Sequence, residues 1–281
     1  MATWKEIPST HIAELEAEAK QLSVHPLALE DCIHRDQRPK LEDFESHQLL
    51  VWFMMAKGEI FEIQFLIFPD LVLFVPHESP PEGDTWANYF KIGASQKDVW
   101  HMVYSALDRA TDETWKEIKK VFSEIEEFEY KMFKTDCDPE SLLALKKRLN
   151  HIDYSIGHLA SVVSQIQNFY HPRDDLRWRL RDLHDHCERI YQNVAYYRSQ
   201  IATSIELYWG LQANKTNRQI KKLSMLASMA IPVTFWASFW GMNFEAIPFS
   251  DSRLFIAAVI VMLISVVGTT FFLIKKGYWR D

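Results

Sequence analysis

The apolar and polar positions of this chain change their pattern twice. Toward the C-terminus, residues 223–244 and 254–274 contain no charged side chain, and Lys275-Lys276 closes the second stretch. As helices rising 1.5 Å per residue, each would be about 30 Å long, which matches the hydrocarbon thickness of a bilayer. They predict two membrane-spanning helices. Upstream, Leu176, Leu180, Leu183, Cys187, Ile190, Val194, Tyr197 and Ile201 recur at alternating spacings of four and three, and Ile205 follows four further on. That is the seam of a coiled-coil-like helix, and no proline interrupts it before Pro232. Continued into the first span, such a helix would be about 100 Å long and calls for bundling with other copies.

Nearer the N-terminus the period shortens. Residues 49–56, 60–68 and 71–75 are rich in β-branched, aromatic and aliphatic residues and are separated by Lys57-Gly58 and Pro69-Asp70, the pattern of an antiparallel meander. Residues 11–22 and 26–33 read as helices, and 98–170 is helical apart from a break at Cys137-Asp138-Pro139. The fold class is therefore an α+β membrane protein. A cytoplasmic α/β domain over 1–95 leads into a helical region over 96–171 and a stalk helix over 172–222. The stalk is continuous with the first spanning helix, 223–244, and an external loop, 245–253, joins it to the second, 254–274, with a basic tail at 275–281.

With 281 residues in all, the part preceding the spans is long enough for one or two soluble domains. A net charge of −7 argues against nucleic acid as a partner and is compatible with gathering cations. Ten acidic and five basic residues fall between Asp112 and Glu140. They form either a solvated face or a cation-concentrating one, screened by salt over about 10 Å. The three cysteines, Cys32, Cys137 and Cys187, have no metal-type spacing, which points to a reducing, cytosolic setting. The first residues lack a basic-then-apolar pattern, so no signal or transit peptide is expected. Lys215, Arg218, Lys221 and Lys222 precede the first span and Lys275, Lys276 and Arg280 follow the second, against Arg253 alone between them. By the positive-inside rule both termini are cytoplasmic.

Counting back from Gly241 by threes and fours gives Ser238, Thr234, Ile231, Ala227, Ser224, Ile220 and Asn217. The stripe is small, hydroxylic or apolar and carries no charge. It reads either as the wall of a pore or as a packing face of small residues between helices. Gly241-Met242-Asn243 then ends the span. The pair of helix-ending residues is one reading; a ring of Asn amides contributed by several copies around an axis, facing an arriving cation, is the other. No Gly-x-x-x-x-Gly-Lys-[Ser/Thr] segment occurs and neither span holds a carboxylate, so nucleotide-driven and proton-coupled transport lack their residues. None is required, because a divalent ion entering at about −100 mV gains about 4.6 kcal/mol. No nucleophile–base pair or cofactor motif suggests an enzyme.

Pro232-Val233-Thr234-Phe235 followed by Gly241-Met242-Asn243-Phe244 resembles the signature of the CorA-type magnesium channels. His25-Pro26-Leu27-Ala28-Leu29-Glu30-Asp31 and Gln37-Arg38-Pro39-Lys40-Leu41-Glu42 resemble the soluble domain of the same family. The resemblance implies a homo-oligomer, a pentamer, in the plasma (inner) membrane, conducting hydrated Mg2+ passively. It implies a selectivity filter at Gly241, Met242 and Asn243, polar rings at Asn217 and Thr234, and an apolar constriction at Ile220, Leu223 and Ile231 that gates by dewetting. Ser224, Ala227 and Ser238 complete the lining. Neutral amides suit an ion that gives up its water reluctantly, since they accept hydrogen bonds from the shell without stripping it. Glu30 and Asp31 of one subunit and Asp182 of its neighbour would hold regulatory Mg2+ between cytoplasmic domains and keep the channel shut.

Two departures from the family pattern stand out. Relatives carry additional strands ahead of the segment matching Trp4, so a smaller sheet is expected here. They also carry an acidic triplet in the external loop, where this chain has only Glu245 and Asp251. The resemblance leaves Co2+, Ni2+ and Zn2+ open beside Mg2+. A ZntB-like zinc transporter is the alternative, although such relatives vary the middle residue of the triplet, so Met242 favours magnesium. A membrane-anchored signalling or scaffold protein would use the hairpin only as an anchor. His184-Asp185-His186 does not make a zinc site, because consecutive helical residues point about 100° apart.

Overall fold

The computed structural model describes residues 2–35, 37–83, 85–92, 98–132, 139–170, 175–242 and 252–276. By internal contacts the chain forms two units, Met1–Ile205 and Glu206–Asp281. In the first, the meander is present as β3 (Gln48–Ala56), β4 (Glu59–Ile67) and β5 (Leu71–Pro76). Ala56 stands opposite Glu59, and the two turn residues between them take φ of 50° at Lys57 and 83° at Gly58. A two-residue hairpin needs this left-handed backbone, which glycine adopts without a Cβ penalty.

Two short strands that the hydrophobic pattern does not announce extend the sheet. β1 (Thr3–Glu6) runs parallel to β5, and β2 (Lys40–Asp43) pairs antiparallel with β3, giving the order β1-β5-β4-β3-β2. Residues 49–56 of β3 are all buried. Since successive strand side chains alternate faces, the centre of the sheet is covered on both. Between β1 and β2 lie α1 (Ile12–Leu22) and α2 (Pro26–Ile33). Pro26 opens α2, where its missing N–H is no loss, and the His25 ring accepts from the Leu27 N–H at 3.2 Å.

After the short α3 (Trp86–Tyr89), α4 (Val99–Met132) packs on the sheet. Its buried Thr114 hydroxyl accepts from the Met55 N–H at 2.9 Å, and its buried Glu117 carboxylate accepts from the Gly58 N–H at 3.0 Å. β2 begins at Lys40 opposite Val51, so these side chains serve one backbone donor near the end of β3 and one in the following turn that the edge strand does not reach. Helices α5 (Pro139–Ile156) and α6 (Leu159–Tyr170) follow. The expected break at Cys137-Asp138 lies outside the described residues, and a second break appears at Gly157-His158. There the turn closes so tightly that a Cβ on Gly157 would stand 2.5 Å from the Asp153 carbonyl oxygen.

Helix α7 (Asp175–Gly241) carries the seam. Leu176, Leu180, Leu183, Cys187, Ile190, Val194 and Ile201 are each 2% exposed or less. The Tyr197 ring stacks on Phe122 of α4 with centroids 3.8 Å apart, and its hydroxyl donates to Glu126 at 2.8 Å. That carboxylate, with burial, pushes the Tyr197 hydroxyl up to about 12. The Ser204 hydroxyl and the Gln200 amide donate to Glu129 at 2.5 and 3.2 Å, and Arg198 pairs with Asp153 of α5. Glu124 is paired with Arg148, and Glu113 with Arg109 and Lys116, so several acids of the run on α4 have protein partners, Glu124 and Glu126 while still exposed to solvent. Burial pushes the thiols of Cys32 and Cys187 up to about 12, so both are packing residues and neither is a ready ligand.

The second unit holds the remainder of α7 and α8 (Ser252–Lys275). Both helices are long and apolar enough to cross a membrane, and the Trp236 indole donates to the Ser265 hydroxyl at 2.9 Å. Gly157→Ala is expected to destabilise the protein by about 1–3 kcal/mol, because the added methyl meets main chain that cannot give way. Gly210→Ala, where nothing lies within 4 Å of the added atom, should leave stability unchanged or raise it. Urea unfolding of the two variants in detergent, followed by circular dichroism, checks the contrast.

Candidate ion pathway and metal site

The first span presents two different sides. Met225, Met229, Pro232, Trp236 and Trp240 are half-buried, and Trp236 is tied to α8. Asn217, Ile220, Leu223, Ser224, Ala227, Ile231, Thr234 and Ser238 are exposed, with Ile220 at 56%, Leu223 at 68% and Ile231 at 66%. At 3.6 residues per turn the two sets are centred about 150° apart. Helix α8 therefore lies along one side of α7, and the stripe has no cover from the chain's own second span.

Polar members make that stripe a poor lipid face, since an amide or hydroxyl in hydrocarbon needs a partner. The Thr234 hydroxyl donates to the Ala230 carbonyl at 3.0 Å, and its oxygen keeps lone pairs for a donor outside the helix. At the tip, among the described residues and apart from the helix's own adjacent backbone, no atom lies within 4 Å of where a Gly241 Cβ would stand. The Met242 N–H reaches the Phe239 carbonyl at 3.3 Å, and the Met242 side chain is exposed. Asn243, Glu245 and Asp251 lie outside the described residues.

The acids expected to sense the ion sit on different elements. Glu30, near the end of α2, is exposed. Asp31 beside it accepts a 2.6 Å bond from Lys40 Nζ, which also reaches Glu42 at 2.9 Å. Burial by itself would lower the Lys40 pKa, but the bonds to the two carboxylates outweigh it and the pKa rises. Asp31 thus already holds a cation, and its main-chain carbonyl accepts from the Gln64 amide at 3.0 Å. Asp182 on α7 is 64% exposed and lies 3.8 Å from His186.

Facing Asp182 is an acidic neighbour that the sequence reading missed. Asp108 of α4 has a raised pKa, chiefly through burial. A hydrogen bond from Tyr104 and the charge of His186 pull it down, and the carboxylates of Asp112 and Asp182 push it further up. The available signal was the i,i+4 spacing of Asp108 and Asp112, which puts both on one face of α4. Among the described residues, no three or more His, Cys, Asp or Glu side chains converge as a metal site does. One chain therefore does not bring Glu30, Asp31 and Asp182 together. The same holds for His184-Asp185-His186, where the only close approach is His184 Nδ1 to Asp185 at 3.4 Å.

Comparison with known proteins bears on this arrangement. The sequence pattern of the family described as CorA-like Mg2+ transporter protein matches residues 2–276. The cobalt/magnesium transport protein CorA of Thermotoga maritima is 25% identical over 88% of this chain and 74% of its own length. A zinc transport protein, ZntB of Pectobacterium atrosepticum, is 24% identical over 67% of this chain and 59% of its own. The fold matches the CorA magnesium transporter from Methanocaldococcus jannaschii with a TM-score of 0.81 at 18% identity, covering 98% of this chain and 90% of that one. An α/β domain, a long helix and a C-terminal apolar hairpin, matched by the family pattern over nearly the full sequence, make this chain a member of the CorA-like Mg2+ transporter family, a membrane transporter of divalent metal ions and not an enzyme.

Proposed function

We propose that the chain assembles as a pentamer around the exposed stripe of α7 and conducts hydrated Mg2+ passively into the cell, with both termini in the cytoplasm of a plasma-membrane protein. The observation that carries this reading is the uncovered, uncharged stripe on the side of α7 away from α8. Copies meeting along it would enclose Asn217 and Thr234 as polar rings, with Ile220, Leu223 and Ile231 between them as an apolar constriction that closes by dewetting. Asn243 would ring the outer mouth and accept hydrogen bonds from the ion's water shell, which Mg2+ surrenders reluctantly. Glu245 and Asp251 are the acids available to draw cations to it. The membrane potential supplies about 2.3 kcal/mol per charge at 100 mV.

Magnesium is favoured over zinc by the stripe's chemistry. It offers amide and hydroxyl oxygen with no Cys or His, which suits a hard cation, and Met242 keeps the middle position of the triplet. Zinc is the second reading because a zinc transport protein is among the relatives. Closure is assigned to Mg2+ bridging Glu30 and Asp31 of one subunit and Asp182 of the next. Lys40 stands in for the ion on Asp31 when it is scarce.

In liposomes, Asn243→Leu should abolish Mg2+ influx while leaving assembly intact; unimpaired influx would leave the hairpin as a mere anchor. Flux of Mg2+, Co2+, Ni2+ and Zn2+ through the wild type ranks the cargo. For the switch, Asp182→Lys should remove inhibition by internal Mg2+. Lys40→Gln should shift inhibition to lower Mg2+, because Asp31 loses its competing cation. Inhibition that both variants leave unchanged would rule the switch out.

A further inference from the structure

One charged surface of the second unit has no role in the ion pathway. Lys215, Arg218, Lys221 and Lys222 lie within eight residues of one another on α7, immediately before the uncharged span. At about 100° per residue they occupy roughly a third of the helix circumference, centred on the side opposite the stripe. They line an open concavity of about 700 Å3 together with Leu211, Asn214, Gln219 and Asn217, the last a member of the stripe, so the concavity wraps from the basic side of α7 toward the stripe. No acidic residue occurs between Glu206 and Gly241 or anywhere in α8, so the helices themselves supply no neutralising carboxylate.

The second helix adds to the same level. Two spans of one bilayer joined by a short connection run in opposite directions. From the Trp236–Ser265 bond, ten residues toward the α8 C-terminus and ten back along α7 are each about 15 Å. Lys275 and Lys276 therefore fall about one turn from Lys221 and Lys222. Lys276 lies 5.3 Å from the centre of the Phe272 ring, whose side chain is exposed. Cations clustered at the polar end of an apolar hairpin, on the side of α7 along which α8 runs, stand at the level where the headgroup phosphates of a bilayer lie.

We infer that Lys215, Arg218 and Lys222 of α7, with Lys275 and Lys276 of α8, bind the phosphate of anionic lipid headgroups. The site selects charge and not acyl chain, and it is independent of which metal the protein carries.

The test uses the full chain in nanodiscs of phosphatidylcholine with phosphatidylglycerol, without divalent ions. Spin-labelled phosphatidylglycerol and phosphatidylcholine report how strongly each is held at the protein boundary. Phosphatidylglycerol should be preferred by about fivefold or more at low salt, and the preference should shrink as salt screens it. The pair Arg218→Gln with Lys222→Gln should reduce it several-fold, while Lys222→Arg should keep it. Equal retention of the two lipids by the wild type, or a preference that the double variant leaves intact, overturns the inference. Millimolar inorganic phosphate should not displace the lipid; if it erases the preference, the site is one for a free anion. A double variant that loses assembly while its lipid preference survives would assign these cations to contacts between copies instead. Because no ion flux is measured, failure here is distinct from failure of the conduction reading.

Discussion

The burial of one side of α7 is the interaction on which the first unit depends. An α-helix satisfies its own backbone in any solvent, so a single helix can continue from an aqueous domain into a membrane span without changing its main chain. What changes is the side-chain pattern. From Leu176 to Ile201 the apolar seam is buried within the first unit, while polar bonds to Glu126 and Glu129 fix its register on α4. Beyond Glu206 the seam gives way to a helix whose partners are one further helix, lipid and, in the reading favoured above, other copies of itself.

That arrangement also redistributes the charge. The chain is acidic overall, yet Glu117, Glu124, Glu126 and Glu129 are held by backbone or side-chain partners within the first unit. Glu30 and Asp182 remain exposed, and Asp31 is held by one lysine. An ion pair that is about a quarter exposed on each side is worth at most about 1 kcal/mol in typical cases. In the switch proposed above, a divalent ion would have to displace that pair to reach Asp31.

The elements visible in the sequence are those whose order is local. The hairpin turn at Lys57-Gly58, the seam of α7 and the two apolar spans each follow from a repeat or a turn type within a few residues, and each is present in the structure. β1 and β2 were not legible. Each has four residues without clean alternation, and β1 exists only because a strand nearly seventy positions on offers it a parallel edge. The division at Gly157 is equally hard to foresee, because it reflects one close approach to Asp153. Of the candidate site, spacing alone laid out the uncharged stripe on α7 but left pore wall and packing face equally open. The acidic setting of Asp182 was not readable, since Asp108 reaches it from a separate helix, and the Lys40 contact to Asp31 depends on a strand that the pattern did not reveal.

Thr234 commits its one hydroxyl proton to the Ala230 carbonyl. What it can turn toward a visitor is an oxygen with nothing to donate. A chloride ion stabilises itself by accepting hydrogens and would find none there, whereas water bound to a cation arrives with its hydrogens pointing outward. In the proposed pore, a hydroxyl held in this way would favour hydrated cations over anions at its own level without carrying a charge, whereas the Asn217 amide keeps N–H donors.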